Sequence, residues 1–225
     1  METTLSQAIF NAITVLIPML LSLTVHEYSH ARAARLLGDD TAKMLGRLTL
    51  NPMAHADMVG TILLPMMILV GNGMSTAGGL PFFGWAKPVP VDPGRFRRTI
   101  PIRQGMMLVA FAGPLSNLIL ALMSAGCLSV LVHMDSPMAA SMISSVQLMF
   151  GINIGLFVFN MLPIYPLDGQ KVILGLMGGP TAIAFERFSQ RYGMMLLFAL
   201  IFLGRGLLHT PMMWVAHGIL AIFGL

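Results

Sequence analysis

Residues 16–38 read LIPMLLSLTVHEYSHARAARLLG. The apolar half continues a run that starts at Leu5, and Leu5–Val25 reaches the ~18–20 residues that a helix needs to cross a bilayer. Gly38-Asp39-Asp40 is the stop signal that follows. One helix from about Thr4 to Leu37 is therefore expected, and it carries His26, Glu27 and His30 without a break from its apolar part. Ionisable groups in such a setting are costly and usually functional.

Outward from this stretch, the rest of the chain is just as apolar. Of 225 residues, 56% are hydrophobic and 10% charged, with a mean hydropathy of +0.80. Soluble domains carry about 25% charged residues, so this chain lacks the charge to cover a water-facing surface. Further apolar runs at Gly105–Val132, Met138–Leu162 and Met194–Leu225 complete the pattern. The expected fold class is an all-α polytopic membrane protein, a bundle of about 5–6 transmembrane or re-entrant helices with a small extended or β edge element. The net charge of +4 does not point to nucleic acid, because the basic residues sit in short loops beside apolar runs. A lone cysteine, Cys127, excludes an intrachain disulfide, and the N-terminus lacks the positive flank of a secretory signal.

Met58–Val70 is short for a span, and the basic loops on either side of it, 32–57 and 87–103, both read as cytoplasmic. A re-entrant element is expected between them, with the N-terminus outside. Pro88 and Pro90 rule out helix and make Gly84–Val91 an extended segment. A short helix is expected from about Gly169 to Met177, then an amphipathic stretch, Thr181–Arg191. The last apolar run, interrupted by Arg205, His209 and Pro211, reads as one kinked span or a hairpin. No connecting segment is long enough for a separate folded module. The chain is treated as one membrane-embedded domain, 1–225, with a core at roughly 5–175 and C-terminal helices at 181–225.

His26 and His30 are four apart, so on a helix their rings leave one face a turn apart and can reach one metal ion. His-Glu-x-x-His on a helix is a zinc-hydrolase arrangement in which the glutamate acts as general base. The bland reading makes these residues a polar helix end at headgroup level, but here they prolong an apolar helix. A catalytic zinc takes three protein ligands, and the best remaining candidate is Asp168, after an apolar helix broken by Pro163 and Pro166. Its bland reading is a helix N-cap.

Five stretches occur in one order: His26-Glu-Tyr-Ser-His30; Asn51 to Thr61, with His55 and Asp57; Gly84 to Pro90; Ala112-Gly-Pro-Leu-Ser-Asn117; and Asn160-x-x-Pro163-x-x-Pro166-Leu-Asp168-Gly169. Over roughly residues 20–175 the chain resembles the site-2 protease family, most closely its small bacterial members. The resemblance implies one Zn2+ per chain held by His26, His30 and Asp168, with Glu27 activating water and Asn160 contacting substrate or transition state. Gln170-Lys171 departs from the Gly-Arg or Gly-His common after that aspartate.

The flanking residues have two readings each. Asn160 donates its amide to a developing oxyanion or caps a helix end. His55 and Asp57 orient a ligand histidine or order their own loop. The Ala112-Gly-Pro-Leu stretch reads as close packing through small residues. Lys87, Val89 and Val91 are the backbone donors with which the extended segment would take an unwound substrate as an added strand, or the segment is a plain proline-rich loop at the membrane surface. The expected activity is hydrolysis of a peptide bond in or near the transmembrane segment of a single-pass membrane protein or peptide. The site would face the cytoplasm and nucleic acid would play no part. The competing readings are a membrane metal-ion transporter, which would spread its ligands over several helices in two related halves, and an inactive homologue acting as a scaffold, which would have lost Glu27 or a ligand.

Overall fold

The computed structural model describes residues 5–71, 85–203 and 205–225, and those residues form helices and connecting segments with no strand. α1 (Leu5–Leu36) is the expected long helix, and Pro18 lies inside it. At 1.5 Å per residue its 32 residues extend about 48 Å, more than the ~30 Å of a hydrocarbon core. α2 (Thr41–Met44) and α3 (Pro52–His55) are single turns in the loop that follows. A π-helical turn, Met58–Leu63, leads into α4 (Leu64–Gly71). Together they run about 20 Å, too short to cross.

α5 (Ile102–Val132) and α6 (Pro137–Asn160) are each long and apolar enough to span. α7 (Asp168–Leu176) is short. α8 (Gly179–Leu203) fuses the amphipathic stretch to the start of the last apolar run. It meets α9 (Arg205–Ile222) at an 80° bend. By length and composition the described residues hold two spans, or three if α8 and α9 are one broken span.

α5 is the hub. It packs against α1, α6, α7 and α9. Ala121 and Ala125, four residues apart, bring it close to Phe150, Ile154 and Val158 of α6 and to Ile219 of α9, which makes the main apolar core. α8 joins the bundle mainly through α7 and α9, leaving space between it and the α1–α6 face.

The expected β edge is not seen among the described residues. Residues 85–92 are extended but form no strand. The Gly-rich residues 72–84, including Gly84 at the start of that segment, lie outside the described residues, as does Thr4 at the expected start of α1.

Candidate metal centre

α1 presents His26 and His30 one turn apart, with their Nε2 atoms 3.0 Å from each other. Asp168, the first residue of α7 rather than its N-cap, places Oδ2 3.2 Å from both. All three side chains are buried. Glycines bring the elements this close. A Cβ on Gly113 of α5 would lie 2.4 Å from His30 Nε2, and one on Gly169 would lie 2.3 Å from the carbonyl oxygens of Met161 and Leu162. The Ala112-Gly-Pro-Leu stretch is thus close packing, as its composition suggests, and what it packs against is the histidine pair.

The donor set fits zinc. Asn117 Oδ1 lies 2.6 Å from His26 Nδ1, and the Val109 carbonyl lies 2.7 Å from His30 Nδ1. A carbonyl oxygen only accepts, so each Nδ1 carries the proton and each Nε2 presents a bare lone pair. Two lone pairs and a carboxylate oxygen facing one point repel each other unless a cation lies between them. Ligands about 2.0–2.1 Å from a tetrahedral zinc sit about 3.3–3.4 Å apart. The observed edges of 3.0–3.2 Å match that size. The Glu27 carboxylate also lies within 4.8 Å of the two imidazole nitrogens.

Glu27 is held by the extended segment. The Val89 N–H donates to its Oε2 at 2.9 Å. The Lys87 N–H donates to the His55 carbonyl and the Trp85 N–H to that of Gly60. These three N–H groups alternate along the chain and so turn to one edge, the edge that faces the protein itself. Of Lys87, Val89 and Val91, expected as donors to a substrate strand, the first two are already engaged. Val91 packs beside the cluster of Ala34, Phe96 and Val109. The alternate residues Pro88 and Pro90 have no N–H, so of the three expected donors only that of Val91 is not engaged by these bonds.

His55 and Asp57 serve the same loop. The fully buried His55 ring bonds the Thr49 carbonyl through Nε2. Asp57 accepts from the N–H groups of Val59 and Gly60 and so caps the π-turn. Neither holds His26 or His30; Asn117 and Val109 do. Arg47 donates to the Lys87 carbonyl at 2.6 Å, and buried Asp39 accepts from the Asp92 N–H at 2.7 Å and from Thr41. Burial pushes the Asp39 carboxyl up, but the bonds from Thr41 and Asp92, with nearby Arg95, outweigh it and hold it below the ordinary carboxylate range.

The centre opens on a cavity of about 1270 Å3 between α1, α6, α8 and α9. That exceeds the ~300–1,000 Å3 usual for small-molecule sites. Val15, Met19 and Leu23 line one side, Phe198 and Met212 the other. Asn160 also lines it, with one amide hydrogen bonded to the Leu156 carbonyl and the second uncommitted by that bond.

Sequence reasoning quoted Asn117 only as the end of the Ala112–Asn117 stretch, gave it no role, and passed over Asn153 and Ser22. All three are fully buried and hydrogen-bonded to one another behind His26. The available signal was two asparagines inside apolar spans.

Residues 125–203 match the model of Peptidase family M50. "Putative zinc metalloprotease YwhC" of Bacillus subtilis (strain 168) is 38% identical over 190 residues, covering 83% of this chain and 78% of that protein. "Putative zinc metalloprotease Rip2" of Mycolicibacterium smegmatis is 27% identical over 84% of this chain and 66% of its own length. Its namesake in Mycobacterium tuberculosis (strain H37Rv) is 28% identical over 85% and 65%. No solved structure matches the chain significantly.

Proposed function

The chain belongs to peptidase family M50, the site-2 protease family, and is a zinc metalloendopeptidase; from that premise we propose that it cuts a peptide bond in or beside the transmembrane segment of a membrane-anchored substrate, as one domain with its site toward the cytoplasm. The observation that carries this reading is the convergence of His26 Nε2, His30 Nε2 and Asp168 Oδ2 beside Glu27, on the wall of a large apolar cavity among spanning helices.

His26, His30 and Asp168 would hold the zinc, which when bound supplies Lewis acidity toward a carbonyl and toward water. Glu27 takes a proton from the attacking water through the oxygen that Val89 leaves free. It returns that proton to the amine nitrogen as the C–N bond breaks, giving one new carboxyl and one new amino terminus. Asn160 offers its second amide hydrogen to the charge developing on the carbonyl oxygen. The apolar walls receive the flanks of the substrate helix and keep bulk water away. A substrate helix hides its carbonyls in i→i−4 bonds, so it must unwind locally before it reaches Glu27.

His26 lies 21 residues into α1, about 32 Å from its start. That depth suits a site near the far face of the bilayer. The loops beyond it carry the Lys and Arg clusters, which supports the cytoplasmic side.

The test uses purified protein in vesicles with a single-pass substrate. Glu27→Gln should abolish cleavage and keep one zinc per chain. Cleavage at the wild-type rate in that variant would remove Glu27 from the chemistry.

A further inference from the structure

Behind His26 runs a chain of three buried polar side chains from three helices. Asn153 of α6 donates through Nδ2 to the Met149 carbonyl and to Ser22 Oγ, each at 2.9 Å. Asn117 of α5 donates through Nδ2 to Asn153 Oδ1 at 2.9 Å, with the Ser22 carbonyl at 3.4 Å. Asn117 Oδ1 then meets His26 Nδ1 at 2.6 Å. Asn117, Asn153 and Ser22 are each 0% exposed.

The direction of this chain is fixed at its far end. Met149 offers a carbonyl, which only accepts, so Asn153 must turn its NH₂ toward it. That leaves Asn153 Oδ1 facing Asn117, and Asn117 must answer with its own NH₂. Its oxygen is then the atom left for His26, and His26 Nδ1 must carry the hydrogen. We infer that Asn153 is a positioning residue that sets the tautomer of His26 through Asn117, so that a backbone carbonyl on α6 decides which nitrogen of a histidine on α1 is free for zinc. The inference rests on the reading of His26 as a zinc ligand.

The physical need is specific to this place. A buried amide can turn over at little steric cost, because its oxygen and nitrogen ends have nearly the same size. A flipped Asn117 would present N–H to His26 Nδ1 and move the imidazole hydrogen to Nε2, which closes the lone pair that zinc requires. Asn153 opposes that flip, since it would set the Asn117 oxygen against Asn153 Oδ1 and near the Ser22 carbonyl, two acceptors with no hydrogen between. Carboxylates or carbonyls commonly orient metal-bound histidines, and losing such a partner lowers metal affinity by about 10–100-fold. Here the orienting group is a neutral amide, so it needs a second residue to hold its direction.

The experiment measures zinc affinity of the purified full-length protein by competition with a chromophoric chelator, and thermal stability alongside. Asn117→Leu should weaken zinc binding by about 10–100-fold. Asn153→Leu, which makes no hydrogen bond to His26, should weaken it several-fold. The deciding comparison is Asn153→Leu in an Asn117→Asp background. A carboxylate accepts from both oxygens and cannot be turned the wrong way, so there the Asn153 change should leave zinc affinity unaltered. An equal loss of affinity in both backgrounds would mean that Asn153 acts only on packing and would overturn the inference. So would an Asn117→Leu protein that folds and binds zinc as tightly as wild type, a result that also serves if Asn153→Leu fails to fold. His26→Ala separates the two levels. If that variant keeps its zinc, the ligand assignment is at fault; if it loses zinc while Asn153→Leu does not, only the relay fails.

Discussion

At the residue scale, the centre is defined by where lone pairs and protons must be. Asp168 supplies the negative charge that two neutral imidazoles lack, so Asp168→Ala should lose most of the bound zinc, read as metal per chain after dialysis. Full retention would exclude it as a ligand. Val89 acts through its backbone. Its N–H ties one oxygen of Glu27 and leaves the other for the proton in the proposed reaction. A hydrogen bond to a charged group contributes about 1.5–3 kcal/mol, so Val89→Pro should lower cleavage about tenfold or more if the bond persists in the transition state. Val89→Ala keeps the N–H and should be mild, and both variants should hold zinc normally. Equal rates for the proline and alanine variants would mean that Glu27 does not depend on this bond. The same residue was expected to matter through contact with a substrate strand; its N–H in fact points at the Glu27 carboxylate.

At the element scale, the loop that follows α1 and the extended segment before α5 behave as one platform. Arg47 holds the Lys87 carbonyl, the Arg97 N–H donates to the Leu37 carbonyl, and Asp39 ties the Asp92 N–H. This platform sets Val89 beside Glu27. Folding lowers the Asp39 pKa, so its contribution to stability is complete above the unfolded carboxylate value of about 4 and is lost as pH falls through the folded value. Asparagine at 39 would turn an NH₂ toward one of the N–H donors. The melting-temperature gap between wild type and Asp39→Asn, measured in detergent, should therefore stay constant from pH 7 to about 4 and close only below that. A gap that closes between pH 7 and 5 would assign the effect to another group.

At the scale of the whole molecule, the packed loops at 38–47 and 92–97 share one end of the bundle, which agrees with the dense positive charge in both. With Cys127→Ser as background, a cysteine at Arg95 should react with a membrane-impermeant maleimide only after the cytoplasmic side is opened. Labelling in intact cells would reverse the proposed orientation. Much of this was readable in the chain itself. An apolar run fused to His26-Glu-x-x-His30 implies a helix and a shared metal face, because both follow from the 3.6-residue period alone. Asp168 was readable as a carboxylate that needs a cation at membrane depth. The non-local contacts were not readable. That Val89 would bond Glu27, that Asn117 and Asn153 would stand behind His26, and that α8 would stand away from α1 and α6 all depend on how segments far apart in sequence pack. Periodicity and charge bias describe one segment at a time. Which atom of one helix meets which atom of another is settled only when the helices close on each other, and here small residues such as Gly113 and Ala121 let α5 approach closely enough for those bonds to form.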